Sequence, residues 1–323
     1  MEDAMQSKVG ICFIFNHPFP GQIPIIKKLY EGRFSKMLFL VPYFEDDEDE
    51  DVYTVYHGAF SFDAMVVDAR HRIKEKFKDC SHLLFVHNDL LISGRFNETT
   101  TADILNLANG PFIAHMSKLG GTAFDWVWKS TLPHKWRFPM DQFLGTGAEK
   151  AREYFPTRAS IDYYCKLAGF DAAPSQLARD DERVKERYQN QFIHEQIYTN
   201  PQHTGESGAF DLEYPLFVGY SDIFAVPMDD FDKWVRNLGV LSSMRVFPEI
   251  AIPTSLVWSF GPVSTQGKLG LKTAILWQDR HLTDDINWVI EKFDEGLDYI
   301  HPVKYEQYDA GAYSGLMSAL RRS

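Results

Sequence analysis

The stretch LLFVHNDLLI (residues 83–92) joins four apolar residues to a polar triplet and a second apolar run. A short continuous apolar run is typical of a strand buried on both faces, as in the middle of an α/β sheet. Ligands of such sheets bind just beyond the carboxyl ends of the strands. The triplet His87-Asn88-Asp89 is therefore either a ligand site or a local turn, since turn chemistry alone also explains an Asn-Asp pair.

The first hundred residues alternate between apolar runs and amphipathic segments. Val9–Phe15 and Lys36–Val41 are predicted strands with a helix, Ile23–Tyr30, between them. A second helix is predicted over 62–77, ahead of the strand at 83–86. This β-α-β order predicts an α/β fold with a central mixed, mainly parallel sheet flanked by helices.

The rest of the chain changes character twice. Residues 117–213 are rich in tryptophan and proline and are predicted to form a largely helical insertion, and sheet character returns at 216–226. We therefore divide the chain into segments 1–116, 117–213 and 214–323. Glycine and serine after Tyr308 predict a mobile tail.

Composition excludes several classes of protein. The formal net charge of −12 includes an acidic run over 45–51, predicted to be a solvated loop, and no basic stripe is present, so nucleic acid is not an expected partner. The three cysteines, Cys12, Cys80 and Cys165, are too scattered for a disulfide framework or a zinc site and indicate a reducing compartment. No signal-type or membrane-spanning run occurs, so we expect a cytoplasmic protein that reaches any lipid-linked acceptor peripherally.

Two further segments place polar groups in apolar surroundings. Gly219-Tyr220-Ser221-Asp222 lies in a strand-like run, where it is either a strand with a glycine bulge or a site that binds sugar hydroxyls. Glu249 is the single carboxylate of the run Phe247–Phe260. It is either a general base, because burial raises the pKa of a carboxyl, or a glutamate at the start of a helix.

Isolated histidines have less specific readings. His17 and His57 each follow a strand-like stretch and can face one crevice, but the chain has no HxH or HExxH spacing of a metallohydrolase. His301 can ligate a metal and Lys304 can pair with a phosphate. His301 is also explained as a histidine with satisfied hydrogen bonds and no ligand, and Lys304 as a surface lysine.

In chain order these segments resemble a nucleotide-sugar glycosyltransferase of the GT-A type. The triplet at 87–89 resembles the family's DxD motif, and Gly219–Asp222 resembles its acceptor-side strand. Glu249 corresponds to the family's late carboxylate and His301 to its late histidine. The resemblance spans most of 9–116 and 214–304. Residues 214–258 also resemble uncharacterised bacterial glycosyltransferase-like proteins.

This resemblance implies a single GT-A-like domain and a set of roles. The nucleotide-sugar donor would bind the first segment, the acceptor (a glycan, lipid-linked or protein) would bind the insertion, and 214–323 would form the acceptor and catalytic half. Glu249 would be the general base of an inverting transfer. Asp89 and His301 would hold Mn²⁺ or Mg²⁺ at the donor diphosphate. The implied donor-side residues are Phe15, Asn16, His17, His57, Asn88, Asp89 and Lys304, and the implied acceptor-side residues are Trp126, Trp128, Gly219, Tyr220, Ser221 and Asp222.

The triplet departs from a regular DxD motif, because histidine stands first and only Asp89 matches. Two other functions therefore stay open. One is a carbohydrate- or nucleotide-binding module of the same fold without catalysis. The other is a metal-dependent hydrolase that uses His17, His57, His87 and Asp89.

Overall fold

The computed structural model describes residues 8–46, 48–58, 61–119, 154–173, 214–243, 246–276, 279–308 and 310–322. The strands are β1 (Val9–Ile14), β2 (Met37–Pro42), β3 (Val52–Val55), β4 (His82–His87), β5 (Leu91–Ile92), β6 (Phe112–Lys118), β7 (Phe217–Pro227), β8 (Ser264–Thr265), β9 (Thr273–Ile275) and β10 (Tyr299–His301). The α-helices are α1 (Gln22–Tyr30), α2 (Phe62–Asp68), α3 (Arg70–Lys76), α4 (Thr101–Ile104), α5 (Arg158–Leu167), α6 (Phe231–Ser243), α7 (Pro248–Phe260), α8 (Gln266–Leu269), α9 (Ile286–Asp294) and α10 (Ala310–Arg322).

A mixed, mainly parallel sheet forms the centre of the fold. Seven strands lie in the order β3-β2-β1-β4-β7-β6-β8. The pairs β2–β3, β1–β2, β1–β4 and β6–β8 are parallel, and β7 runs antiparallel to β4. A smaller sheet of order β5-β10-β9 accompanies it. The predicted α/β class with a mainly parallel sheet is confirmed.

The apolar runs β1, β2 and β4 form the middle of the large sheet because both of their faces are covered. Every residue of β1 is buried, as are the last five residues of β2 and of β4. Helix α1 covers one face with the buried side chains of Ile23, Ile26 and Leu29. Continuous burial of this kind is what separates a parallel sheet from a solvated antiparallel one.

The chain forms two compact units. The first comprises Met1–Ala114, Asp222–Phe231 and Ser264–Ser323, and the second comprises His115–Ser221 and Asp232–Val263. In the second unit, α7 is buried over nearly its whole length, and two of its hydroxyl groups accept hydrogen bonds from other elements. Thr254 accepts a hydrogen bond from the Phe217 amide at 2.9 Å, and Ser255 accepts one from the Trp234 indole at 2.9 Å.

Two predicted elements differ from the structure. The helix predicted over 62–77 is two short helices, α2 and α3, which meet at Ala69. The tail predicted to be mobile is α10, with Leu316, Ala319 and Leu320 buried. These three residues have the i, i+3, i+4 spacing of one helical face, which outweighs the glycines and serines around them.

A helix crosses a bilayer only if it is both long and apolar. Among the residues that the structure describes, no helix has both properties.

A substitution at Gly94 tests the docking of α10. A methyl group at this position would overlap the backbone carbonyl of Leu320, so Gly94→Ala should displace α10 from its packed position. We expect the free energy of unfolding to fall by about 1–3 kcal/mol, measured by urea denaturation. Gly21→Ala is the matched control, because a methyl group there meets nothing within 4 Å. Equal stability of the two variants would contradict this packing.

Candidate functional site

The carboxyl ends of β1 and β4 form the topological switch point of the large sheet. The strand order reverses between these neighbours, because the chain leaves β1 toward β2 on one side while β4 lies on the other. Ile14 pairs with His87, so Asn16 and Asp89 both lie two residues beyond the same row. Connections that diverge from adjacent strand ends leave a crevice, where open α/β sheets bind their ligands.

Three side chains converge at this edge. Two of them come from the end of β4, and the third comes from β10. Asp89 Oδ1 lies 2.6 Å from His87 Nδ1 and 2.9 Å from His301 Nε2. The two histidine nitrogens are 3.5 Å apart. All three residues are buried, and together they form a group that could hold a metal ion.

The backbone fixes this convergence. The Val303 amide donates to the Asp89 carbonyl at 2.6 Å, and the Leu276 amide donates to the His301 carbonyl at 2.8 Å. Phe62 packs against the His87 ring with centroids 4.9 Å apart. The site therefore rests on sheet and helix contacts rather than on a free loop.

Electrostatics within the cluster follow from burial and charge. Burial alone would raise the pKa of the Asp89 carboxyl, but the charges and hydrogen bonds of His87 and His301 outweigh it and hold that pKa well below its usual value. Burial likewise opposes protonation of His301, yet the Asp222 and Asp89 carboxylates raise its pKa. The carboxylate is thus ionised and ready to act as an anionic ligand.

Two charged residues flank the cluster. Lys304 Nζ lies 3.0 Å from Asp89 Oδ2, and its side chain is 43% exposed, so the ammonium group can reach a ligand from outside. On the other side, Asp222 Oδ2 lies 3.9 Å from His301 Nδ1. This distance is too long for a hydrogen bond, so Asp222 acts on His301 through its charge, which raises the pKa of the imidazole.

Asn88, the middle residue of the triplet, contacts a different set of groups. Its amide donates to Gln22 Oε1 at 2.6 Å, and the Gln22 amide in turn donates to Glu306. Asn88 and Gln22 are both buried. This chain of hydrogen bonds links the end of β4 to the first turn of α1 and to the segment that follows Lys304.

The other donor-side residues lie around the same edge but differ in exposure. Phe15 is fully buried and packs edge-on against Phe39, with centroids 6.3 Å apart. Asn16 is half-buried, His17 is exposed and His57 is half-buried. Within the described part of the chain, the metal-ligating group comprises His87, Asp89 and His301, and neither His17 nor His57 belongs to it.

The residues predicted for the acceptor side are largely buried where the structure describes them. Tyr220, Ser221 and Asp222 are 2%, 3% and 6% exposed within β7, and Ser221 donates to the Pro248 carbonyl at 3.4 Å. Trp126 and Trp128 lie outside the described residues. Glu249 is a buried residue in the first turn of α7, in the second unit. A carboxylate there is stabilised by the helix dipole.

From sequence, His87 is named as a metal ligand only in the hydrolase alternative and is left out of the residues implied for the transferase site. It stands where a DxD motif has a carboxylate, and its position at the end of a buried strand was the available signal. The hydrogen bonds of Gln22 to Asn88 and to Glu306 had no signal in the sequence. The residues of the first pair are 66 positions apart along the chain, and those of the second pair are 284 apart.

The three donor atoms suit a transition-metal ion. A metal with bonds of about 2.0–2.2 Å separates neighbouring ligand atoms by about 3 Å, close to the 2.6–3.5 Å spacing of this group. Two imidazoles and one carboxylate are accepted by transition-metal ions, whereas Mg²⁺ prefers an all-oxygen shell. Of the two cations predicted from sequence, Mn²⁺ fits these residues better.

Comparisons with known proteins return remote likenesses. No protein-family model and no curated protein matches the chain. Among solved structures, the mannosyltransferase Ktr4p from S. cerevisiae has a TM-score of 0.35 and 10% identity, with 81% of this chain and 68% of that chain covered. Its complex with GDP has a TM-score of 0.33 and 9% identity, with 80% of this chain and 68% of that chain covered. The apo structure of WbbM, a bifunctional glycosyltransferase, has a TM-score of 0.37 and 8% identity, with 100% of this chain and 51% of that chain covered. At such values, likeness carries no argument about activity, which has to come from the site.

Metal binding tests the cluster directly. Asp89→Asn and His301→Ala each remove a ligand, so we expect Mn²⁺ affinity, measured by isothermal titration calorimetry, to fall by more than the roughly 10- to 100-fold of an outer-shell change. His17→Ala, an exposed histidine outside the cluster, is the control and should bind as the unmodified protein does. Unchanged affinity in both ligand variants would show that the cluster is an ion-pair network only.

Asp222→Asn tests the carboxylate behind His301. The amide lacks the charge that the carboxylate places beside His301, so we expect the pKa of the His301 imidazole to fall and Mn²⁺ affinity to drop by about 10-fold without loss of the fold. Chemical shifts of His301 followed against pH measure that pKa. Asp229→Asn, at an exposed position, is the matched control. An unchanged His301 pKa would contradict the electrostatic role of Asp222.

Proposed function

We propose that the protein is a metal-dependent glycosyltransferase, which moves a sugar from a nucleoside-diphosphate donor to an acceptor hydroxyl. The observation that carries this proposal is the group of His87, Asp89 and His301 at the switch point, with Lys304 beside it. A diphosphate is an anionic leaving group that requires positive charge. The crevice offers a ligand set for a cation and a half-exposed ammonium group.

Each residue of the cluster has a defined part in this proposal. His87, Asp89 and His301 hold the cation, which when bound supplies charge that stabilises the departing nucleotide. Lys304 contacts an outer phosphate oxygen as a point charge. Asp222 acts on His301 through its charge, and the Asn88–Gln22 contact holds Asp89 at the edge of the sheet. Their common effect is a preorganised anion site, in which no side chain has to move far when the donor binds.

The acceptor side is proposed from sequence and burial. Glu249, buried in the first turn of α7, would deprotonate the acceptor hydroxyl in an inverting displacement. The insertion at 117–213, with Trp126 and Trp128, would bind the acceptor. Gly219, Tyr220, Ser221 and Asp222 would contribute to acceptor binding.

A metal-dependent hydrolase is the second candidate, because two histidines and one carboxylate also form the ligand set of such enzymes. This alternative requires turnover of a phosphate ester that carries no nucleotide. Mn²⁺-dependent cleavage of p-nitrophenyl phosphate, lost in Asp89→Asn, would favour it. Transfer of sugar to an added acceptor without such cleavage would favour the transferase.

Donor binding and turnover test the leading proposal. UDP-, GDP- and CMP-sugars should be screened for a rise in melting temperature with and without Mn²⁺, since a ligand of the native state stabilises it. At least one of these donors should raise the melting temperature, and it should do so only when Mn²⁺ is present. That donor should be hydrolysed slowly without acceptor, and Asp89→Asn should abolish both effects. No shift with any of the donors would contradict the proposal.

Glu249→Gln separates the transferase from a binding module. If Glu249 is the base, sugar transfer should fall by about 10²–10⁴-fold while the donor still raises the melting temperature. Glu31→Gln, at an exposed position, is the control and should retain activity. A donor that binds to all variants but is turned over by none of them, including the unmodified protein, would identify a module.

A further inference from the structure

Two of the most exposed aromatic side chains of the described residues lie side by side. Tyr43 is 64% exposed and Tyr56 is 63% exposed. Their ring centroids are 6.2 Å apart in an edge-to-face arrangement, and the Tyr43 hydroxyl donates to the Tyr56 carbonyl at 3.1 Å. Burial does not explain these rings, because most of each surface faces solvent.

Tyr43 is held in an unfavourable backbone conformation. Its φ of 51° lies in the left-handed region, which a bulky side chain rarely occupies. Its amide donates to the Val55 carbonyl at 3.0 Å, so pairing with β3 maintains this conformation. A strained residue whose ring is exposed is more readily explained by presentation to a ligand than by packing.

The strand register relates this pair to the metal-ligating group. Ile14 of β1 pairs with His87 on one side and Leu40 on the other, and Leu40 pairs with Tyr53. Tyr43 and Tyr56 lie three residues beyond this row, and Asp89 lies two beyond it. Neighbouring strands are about 4.8 Å apart, so the pair lies about 10–14 Å from the end of β4 along the same edge. That span suits the base of a nucleotide whose phosphates lie at Asp89.

The charge around the tyrosines indicates which part of a nucleotide would bind there. Tyr56 donates to Glu45 at 3.2 Å, and Glu45 begins the acidic run. Lys27 and Lys76 instead pair with Asp49 and Asp51, at 2.5–2.9 Å. A phosphate would be repelled beside Glu45, whereas an uncharged base with N–H donors would not be.

We propose that Tyr43 and Tyr56 form a stacking platform for the base of the nucleotide donor. This proposal rests on the proposed function and adds to it the site that recognises the nucleoside. Stacking on an aromatic ring is worth enough to strengthen binding by about 5- to 150-fold per base. The platform would therefore distinguish a nucleoside diphosphate from pyrophosphate.

The test compares ADP, GDP, UDP and CDP with pyrophosphate, all with Mn²⁺, by isothermal titration calorimetry. The unmodified protein should bind at least one nucleoside diphosphate at least 5-fold more tightly than pyrophosphate. Tyr43→Ala and Tyr56→Ala should lose this preference and bind pyrophosphate unchanged, which also shows that they fold. Tyr56→Phe should retain it. Tyr163→Ala, which removes another exposed tyrosine, is the matched control.

The outcomes separate the two proposals. Retention of the nucleotide preference in both alanine variants overturns the platform and leaves the proposed function intact. Equal binding of pyrophosphate and every nucleoside diphosphate by the unmodified protein also overturns the platform. Failure of the unmodified protein to bind any of these ligands overturns the proposed function itself.

Discussion

The main physical constraint on the first unit is the Asp89 carboxylate, which is buried just beyond the end of β4. Ionised Asp89 would be prohibitively costly there without compensating partners. His87, His301 and Lys304 supply that compensation within 3.0 Å. Two of these partners come from the far end of the chain, so satisfying one charge also fastens β10 and its following segment to the sheet.

The same arrangement allows two occupants of the site to compete. The neighbouring histidines hold the pKa of Asp89 low, and the Asp222 and Asp89 carboxylates raise the pKa of His301. Under the proposed function, a divalent cation would replace the proton that His301 carries beside Asp89. The donor atoms lie 2.6–3.5 Å apart, near the spacing that a metal requires, so binding would need little rearrangement. Asp222 would add negative charge 3.9 Å from His301 Nδ1.

Sequence reasoning recovered the parts of this protein that depend on local pattern. The apolar runs predicted β1, β2 and β4, and the triplet after β4 predicted a polar site at their ends. It also paired Asp89 with His301, although by resemblance rather than by pattern, since 212 residues separate them. It named His87 as a ligand only in the hydrolase alternative, because the DxD motif of the transferase family has a carboxylate at that position. It missed α10 because glycine and serine content concealed a short apolar face that only tertiary packing makes significant.

The dependence of the site on His301 has a consequence during biosynthesis. Asp89 leaves the ribosome 212 residues before His301, so for most of synthesis the nascent sheet holds this carboxylate beside His87 but without His301 and Lys304. The three-residue group that could hold a metal ion is therefore complete only after β10 has been made and has docked. Under the proposed function, a chain interrupted before β10 would lack one of the three ligands.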